Sequence, residues 1–325
     1  MSEAGQTDDE LRMERARGLG SPRSAKPRRF WTITRKESVA AYLFILPDAI
    51  GLLLFVAFPM VLSLSLGFFS VDGFGSYKFV GLANYERMFH DPLFLKSLGI
   101  TGLYVLILVP ALYVTGLGLA LLVSQKIWGI GLWRALFFMP YVVSLVVVGL
   151  TWKVLLIDKI GFVNRMLAIF SLPGRSWLGD PNFALGSILL VTVWFSMGYY
   201  MIIFLSGLQE IPREYYEAAK IDGAGPWRMF TSITLPLLRP TSFFVLLVST
   251  VAAVAGSQAF DLIYIMTKGG PANSTSLAVF YIYQQAFQFN NYGYAAAMAS
   301  SLVIVLLIIT VTLFAATRGG RFHLE

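Results

Sequence analysis

Gln209-Glu210-Ile211-Pro212-Arg213-Glu214-Tyr215-Tyr216-Glu217-Ala218-Ala219-Lys220-Ile221-Asp222-Gly223-Ala224-Gly225-Pro226-Trp227-Arg228-Met229-Phe230-Thr231-Ser232-Ile233-Thr234-Leu235-Pro236-Leu237-Leu238-Arg239-Pro240 is a polar, proline-punctuated stretch between two apolar runs, 184–208 and 241–264. Pro212 suits the first turn of a helix. Glu214 and Glu217 sit near that helix's positive end, where acids are favoured. Tyr215, Ala218, Ala219 and Asp222 continue the helical spacing, and Gly223 and Gly225 end it, since glycine readily takes a left-handed conformation. Pro226 starts a second helix with Trp227 and Phe230 on its apolar side, and Pro236 and Pro240 stop it before the next run. The stretch reads as helix, tight turn, helix.

The flanking runs set the fold class. Each is long enough for a transmembrane helix, which needs about 20 mostly apolar residues. Six such runs occur, near 41–66, 97–123, 135–157, 184–208, 241–264 and 294–316. They are continuous rather than alternating, so they read as helices and not as barrel strands. Pro47, Pro59, Pro110 and Pro140 fall in or at the edges of these runs, where they kink helices. The expectation is an all-α polytopic membrane protein with six transmembrane helices.

Composition agrees. Of 325 residues 57% are hydrophobic and 13% charged, with mean hydropathy +0.69. Soluble domains are about 45–50% apolar and about 25% charged. With no cysteine, thiol chemistry and Cys-based metal sites are excluded. With only His90 and His323, a histidine metal site or a Ser-His-Asp triad has almost no material. A membrane enzyme would need acids, histidines or a nucleophile clustered at one face. The acids here are scattered except in 209–240.

The net charge is +7, and nine of the 25 Lys and Arg lie in residues 1–40, a solvated basic tail rather than a nucleic-acid-binding fold. With the N-terminus inside, seventeen Lys and Arg fall in the cytoplasmic parts and seven in the opposite loops. That bias predicts both termini in the cytoplasm. The tail supplies nine of the seventeen.

The chain as read has the tail (1–40) and a transmembrane region (41–318, core 97–316) with the cytoplasmic loop 209–240. A short helix with small residues and a sharp glycine turn suits insertion into a groove of a partner protein. Lying on the bilayer surface is the plain alternative.

Glu217-Ala218-Ala219, three residues, Gly223, nine residues, Ile233, one residue, Leu235-Pro236 resembles the EAA loop of ABC-importer permeases, with every fixed position at the family's spacing. Phe79-Val80-Gly81-Leu82-Ala83-Asn84-Tyr85 followed by Asp91-Pro92-Leu93-Phe94 is similar to the first outer loop of the carbohydrate-uptake branch, the maltose and glycerol-phosphate type. Gly269-Gly270-Pro271 with Ser274-Thr275 resembles that branch's third outer loop.

The resemblance, over about 40–318, implies the type I ABC importer transmembrane fold in a bacterial cytoplasmic membrane. It implies that Glu217, Ala218, Ala219, Asp222, Gly223, Ile233, Leu235 and Pro236 couple to a cytoplasmic ATPase dimer. A second homologous permease would complete the pore, and an extracytoplasmic binding protein would deliver a sugar or related polar solute. No GxxxxGK[ST] phosphate loop is present. Energy therefore comes from a partner or from an ion gradient, and the resemblance implies no cofactor in this chain, with ATP and Mg on the partner ATPase. The other reading is an ion-coupled secondary transporter or channel, which predicts inverted repeats or charged span centres. No convincing repeat occurs, and most span centres are uncharged.

Polar groups within spans mark candidate substrate contacts. The fifth run carries Ser249, Thr250, Ser257, Gln258 and Asp261, and Gln258 and Asp261 share a helix face. Gln258 donates and accepts hydrogen bonds and Asp261 accepts them, which suits hydroxyl groups. Ser257, Gln258, Asp261 and Tyr264 form the candidate path, with Trp194, Tyr199 and Tyr200 as possible stacking surfaces. Contacts between helices, or an aromatic belt at the membrane interface, explain such residues equally well.

Overall fold

A computed structural model describes residues 35–71, 75–125, 128–158 and 160–316. The predicted basic tail up to residue 34 and the segment 317–325 lie outside the described residues. The chain divides into two compact units, Met1–Pro59 and Met60–Glu325. In the first, helix α1 (Arg35–Leu52) contains Pro47 and passes into a π-helical turn at Leu53–Ala57. Helix α2 (Phe58–Leu66) carries the chain into the second unit.

Past α2, the second unit holds a short hairpin, a departure from an all-helical chain among the described residues. Strands β1 (Phe69–Val71) and β2 (Tyr77–Phe79) pair antiparallel, with Phe69 opposite Phe79. Helix α3 (Ala83–Phe89) follows, and then α4 (Pro92–Val123). Asp91 starts α4 five residues ahead of the predicted run. Its Oδ1 accepts from the amides of Leu93 and Phe94 at 2.9 and 3.2 Å, and Pro92 occupies the first turn, where its missing amide costs nothing.

The third predicted run, 135–157, is not one straight helix. Helix α5 (Ile130–Val142) and helix α6 (Leu145–Leu155) meet at 94°. Pro140 lies in the last turn of α5, Val143 is extended, and Ser144 starts the new helix. Helix α7 (Phe162–Ile169) precedes α8 (Pro181–Gln209), which Asp180 caps at the amide of Asn182 (2.9 Å).

Helices α4 and α8 run side by side in the same direction. The hydroxyl of Tyr104 lies 3.1 Å from that of Thr192, and the ring of Tyr113 meets that of Phe204 edge-on. Close approach rests on glycine. A methyl group at Gly116 would lie 2.8 Å from Cβ of Tyr200, and one at Gly198 would enter the Phe137 backbone of α5. Apolar helices without a solvent-driven attraction gain from such packing. Tyr104, Ile188, Met201 and Phe204 are fully buried in the resulting core.

After α8 come α9 (Arg213–Ile221), α10 (Pro226–Met229), a π-helical turn (Phe230–Thr234) and α11 (Leu235–Leu237). The predicted stop at Pro236 does not occur there. The amide that Pro236 lacks falls in the first turn of α11, and the break comes at Leu238. Pro240 likewise sits in the first turn of α12 (Arg239–Ala255), which leaves α10 and α11 at 66°.

The fifth predicted run, 241–264, is also interrupted. Gly256 is extended, and helix α13 (Ser257–Met266) begins after it. Helix α14 (Ala278–Tyr283), a π-helical turn (Gln284–Gln288) and α15 (Tyr292–Ala316) complete the described chain. Among the described residues four helices are long and apolar enough to cross a membrane, or up to six if each bent pair is one span.

Candidate functional sites

Helix α9 carries charged residues and buries none of its side chains. Glu217, Ala218, Asp222 and Gly223 are exposed and Ala219 is half-buried. Ile221 (87% exposed) and Trp227 (76%) offer apolar surface in the same segment. The helix starts at Arg213, one residue later than expected, with Pro212 outside it in an extended conformation. Its far end closes by backbone alone. Gly223 donates to the Lys220 carbonyl at 3.1 Å and Ala224 to that of Ala219 at 2.8 Å. With Gly223 at φ +77 this is a Schellman turn. Gly225 does not end the helix; its φ is −72 and it leads into α10.

One bond fixes α9 against the next leg. The Tyr216 hydroxyl lies 2.9 Å from Thr234 Oγ1, and Thr234 is buried. Ile211, Phe230, Leu235 and Leu237 pack into the main core. The eight residues predicted from the motif therefore divide. Glu217, Ala218, Ala219, Asp222 and Gly223 form the outer edge of α9 and its turn. Ile233, Leu235 and Pro236 are half-buried in the leg that holds α9 in place.

The second candidate lies where α8 meets the break at Gly256. Ser196 Oγ donates to Gln258 Oε1 at 3.3 Å. A small cavity beside this pair is lined by Tyr104, Thr192, Tyr200, Ser249 and Gln258. Thr192 donates to the Ile188 carbonyl at 2.8 Å, which leaves Tyr104 as donor in their contact. Ser249 donates to Val245 at 2.7 Å. Nearby, Tyr141 stacks on Tyr199 with centroids 4.8 Å apart and also meets Phe195.

The predicted path residues separate. Gln258 joins Ser196 at the cavity. Tyr264 stacks on Phe260 one turn further along α13, Asp261 is half-buried, and Ser257 is exposed. Trp194 instead pairs with Trp152. Sequence reading did not single out Ser196, Tyr141 or Tyr104. An isolated hydroxyl or phenol in an apolar run carries no spacing signal until its neighbour is known.

The motif at 79–94 is structural in its contacts. Asn84 Nδ2 donates to the carbonyls of Gly67 (3.0 Å) and Phe69 (2.9 Å), holding the entry to the hairpin. Ser300 donates to Ala297, so Tyr85 donates to Ser300 across 3.0 Å. Asp91 Oδ2 accepts from Tyr281 (2.8 Å) and Tyr294 (2.7 Å). Burial raises the Asp91 carboxyl, but bonds from Tyr294, Tyr281, Phe94 and Leu93 outweigh it and hold it below its ordinary 3.8. Burial, with Asp91 alongside, pushes the Tyr281 phenol up to about 12. In the segment 267–277 Thr275 Oγ1 donates to the Gly270 carbonyl at 2.7 Å, and Lys96 Nζ donates to the Ala272 carbonyl at 2.8 Å.

Comparison with known proteins gives one answer. Residues 112–318 match the family described as binding-protein-dependent transport system inner membrane component. The chain is 37% identical over 285 residues to a probable ABC transporter permease protein, YesP, of Bacillus subtilis, covering 86% of this chain and 91% of that protein. It is 34% identical over 296 residues to the lactose transport system permease protein LacF of Rhizobium radiobacter, covering 89% and 98%. Among solved structures, a chain of a bacterial alginate ABC transporter, in complex with an alginate pentasaccharide-bound periplasmic protein, superposes with a TM-score of 0.77. That match covers 87% of this chain and 95% of that one at 23% identity.

Proposed function

The chain belongs to the binding-protein-dependent transport system inner membrane component family, and on that premise we propose that it is one of two related permease subunits of an ATP-driven importer of a sugar or similar polar solute. Six spans with both termini in the cytoplasm put α9 on the cytoplasmic face. There its outer edge docks in a cleft of an ATPase, with Glu217, Ala218, Ala219, Asp222 and Gly223 at the contact. The observation that carries this reading is the exposure of α9 on a buried support. An element that only coated the bilayer would need no Tyr216–Thr234 tie.

ATP and Mg are held by the ATPase pair, and this chain does no hydrolysis. When the pair closes, each α9 is pushed as a rigid plug. Leu235, Leu237 and the 66° elbow at Leu238 pass that displacement into α12. Helix α12 runs from that elbow to the break at Gly256, two residues before Gln258, so displacement at α9 is carried toward the Ser196–Gln258 contact. An extracytoplasmic binding protein delivers solute at the opposite end. Neutral carbohydrate is favoured because Ser196 and Gln258 bring a hydroxyl and an amide together at this break, with no cation among the residues around them to grip a phosphate. The lactose-transport relative supports the same class.

Purification of the chain from its own membranes in mild detergent, with mass spectrometry of what accompanies it, tests this. An ATPase and a second permease should co-purify. The chain recovered alone in every detergent tried would sink the importer assembly.

A further inference from the structure

Eight Lys and Arg and no Asp or Glu lie between Arg15 and Lys36, whereas residues 1–14 hold five acids and one base, Arg12. Phe30 and Trp31 follow directly on Arg28 and Arg29. The basic run ends inside helix α1, whose first two residues are Arg35 and Lys36. The apolar span carried by α1, its π-helical turn and α2 runs from Ala40 to Leu66. Along it Tyr42 (72% exposed), Phe44 (85%) and Phe55 (81%) turn apolar side chains outward. The last two cations therefore stand about one helical turn before the apolar span begins.

Orienting the span does not account for all of this charge. That bias counts Lys and Arg within about 15–20 residues of a span's end, and Arg15 and Arg17 lie further out. The docking edge proposed on α9 draws on another segment. Sorting acids from bases has a consequence of its own. A mixed stretch would be nearly neutral toward any surface, whereas 15–36 presents a single sign.

The surface of opposite sign nearest to the run is the bilayer. The field of anionic headgroups fades over a Debye length, about 10 Å at 0.1 M salt, so only cations held close to the membrane feel it. Every cation from Arg23 to Lys36 is joined to Ala40 by 17 residues or fewer. Clusters of about 4–8 Lys and Arg immediately cytoplasmic of a transmembrane helix suit anionic lipid. Tryptophan settles at the headgroup level, so Phe30 and Trp31 add an apolar foothold to the charge. Two such signals together give lasting surface binding where one is marginal. A protein cleft reads the spacing of side chains, while a charged bilayer reads their sum, and these cations follow no regular spacing.

We infer that residues 15–36 bind the anionic phospholipid headgroups of the cytoplasmic leaflet, with the cations on the phosphates and Phe30 and Trp31 in the interface beside them. The inference takes from the importer reading only the cytoplasmic side of the N-terminus. The bound run holds the inner end of α1 to the headgroup layer. The acidic residues 1–14 gain nothing from that surface.

The chain has no cysteine, so Ser24→Cys places a single environment-sensitive fluorophore in the run. The full chain is set in nanodiscs of phosphatidylcholine, either alone or with about 30% of the anionic lipid phosphatidylglycerol. Both faces of a disc have the same composition, so the result does not depend on orientation. Emission should shift to the blue, and the label should be shielded from an aqueous quencher, only in the phosphatidylglycerol discs. The shift should vanish at about 1 M salt, where the Debye length is about 3 Å. It should also vanish when Arg23→Gln, Lys26→Gln, Arg28→Gln and Arg29→Gln are combined, and persist when residues 2–14 are removed. All these positions precede α1, and gel filtration of each variant in its disc checks insertion. Equal emission in the two kinds of disc would overturn the inference, as would a shift that salt leaves in place. A shift that appears only once the ATPase is added would overturn it too, and assign the run to a protein partner. Each of these results would leave the importer reading and the role of α9 standing.

Discussion

The hydroxyls of Tyr216 and Thr234, eighteen residues apart, meet at 2.9 Å and join the exposed helix α9 to the buried leg behind it. Neither residue belongs to the motif that marks the loop, yet their bond ties α9 to the segment behind it. Tyr216→Phe removes the bond and keeps the ring. A typical hydrogen bond is worth about 1 kcal/mol. The expected result is a normally inserted chain whose sugar uptake per ATP hydrolysed falls a few-fold. Uptake and hydrolysis measured together on reconstituted transporter check this, and an unchanged ratio would mean the tie carries no force.

Glu217 and Gly223 test the docking edge itself. Glu217→Lys reverses an exposed charge and should leave the chain inserted while ATP hydrolysis and uptake come apart. Gly223→Pro is incompatible with φ +77, since proline holds φ near −65°. It should reopen the Schellman turn with the same consequence. Gly223→Ala meets no neighbour within 4 Å, so its cost is conformational alone, about 1–2 kcal/mol. Alanine should therefore be the milder variant. If lysine and proline variants both transport normally beside the ATPase, α9 is not the coupling element.

Gln258→Ala removes the amide that faces Ser196 and the small cavity. Uptake should fall by about ten-fold, the scale of a lost hydrogen bond to a buried polar partner. Co-purification of the ATPase should be unaffected, because α9 and its support are untouched. Unaltered uptake kinetics would move the solute path away from this break.

Asp91 predicts an acid-side weakness. Its carboxyl sits below 3.8 in the folded chain, so the folded state favours the charged form. Its contribution is present in full above about pH 3.9, the ordinary unfolded value, and is lost as pH falls through the lower folded value. In thermal melts, the difference between the parent and Asp91→Asn should be constant from neutral pH down to about 5 and shrink below about 4. A difference that instead grew in acid would contradict the sign of the shift.

How far the sequence led can be judged residue by residue. The motif Glu217-Ala218-Ala219 with Gly223 located both the helix and its turn, because a helix terminus is set by local backbone chemistry. The stop expected at Pro236 failed for a related reason: proline is tolerated in a first turn, and the π-helical stretch before it supplied one. Asn84, Tyr85 and Asp91 were quoted only as parts of a family pattern. Their partners lie up to 215 residues away, and no spacing within a loop announces such contacts.

The sequence by itself determined the membrane class, the placement of the long helices and the site of the exposed loop. Those follow from hydropathy, helical propensity and turn chemistry, which act over a few neighbouring residues. Only the tertiary structure decided that the third and fifth runs are broken, that Gln258 faces Ser196, and that Tyr216 meets Thr234. Each of these depends on which helix lies against which, and that is fixed by packing between segments far apart in the chain.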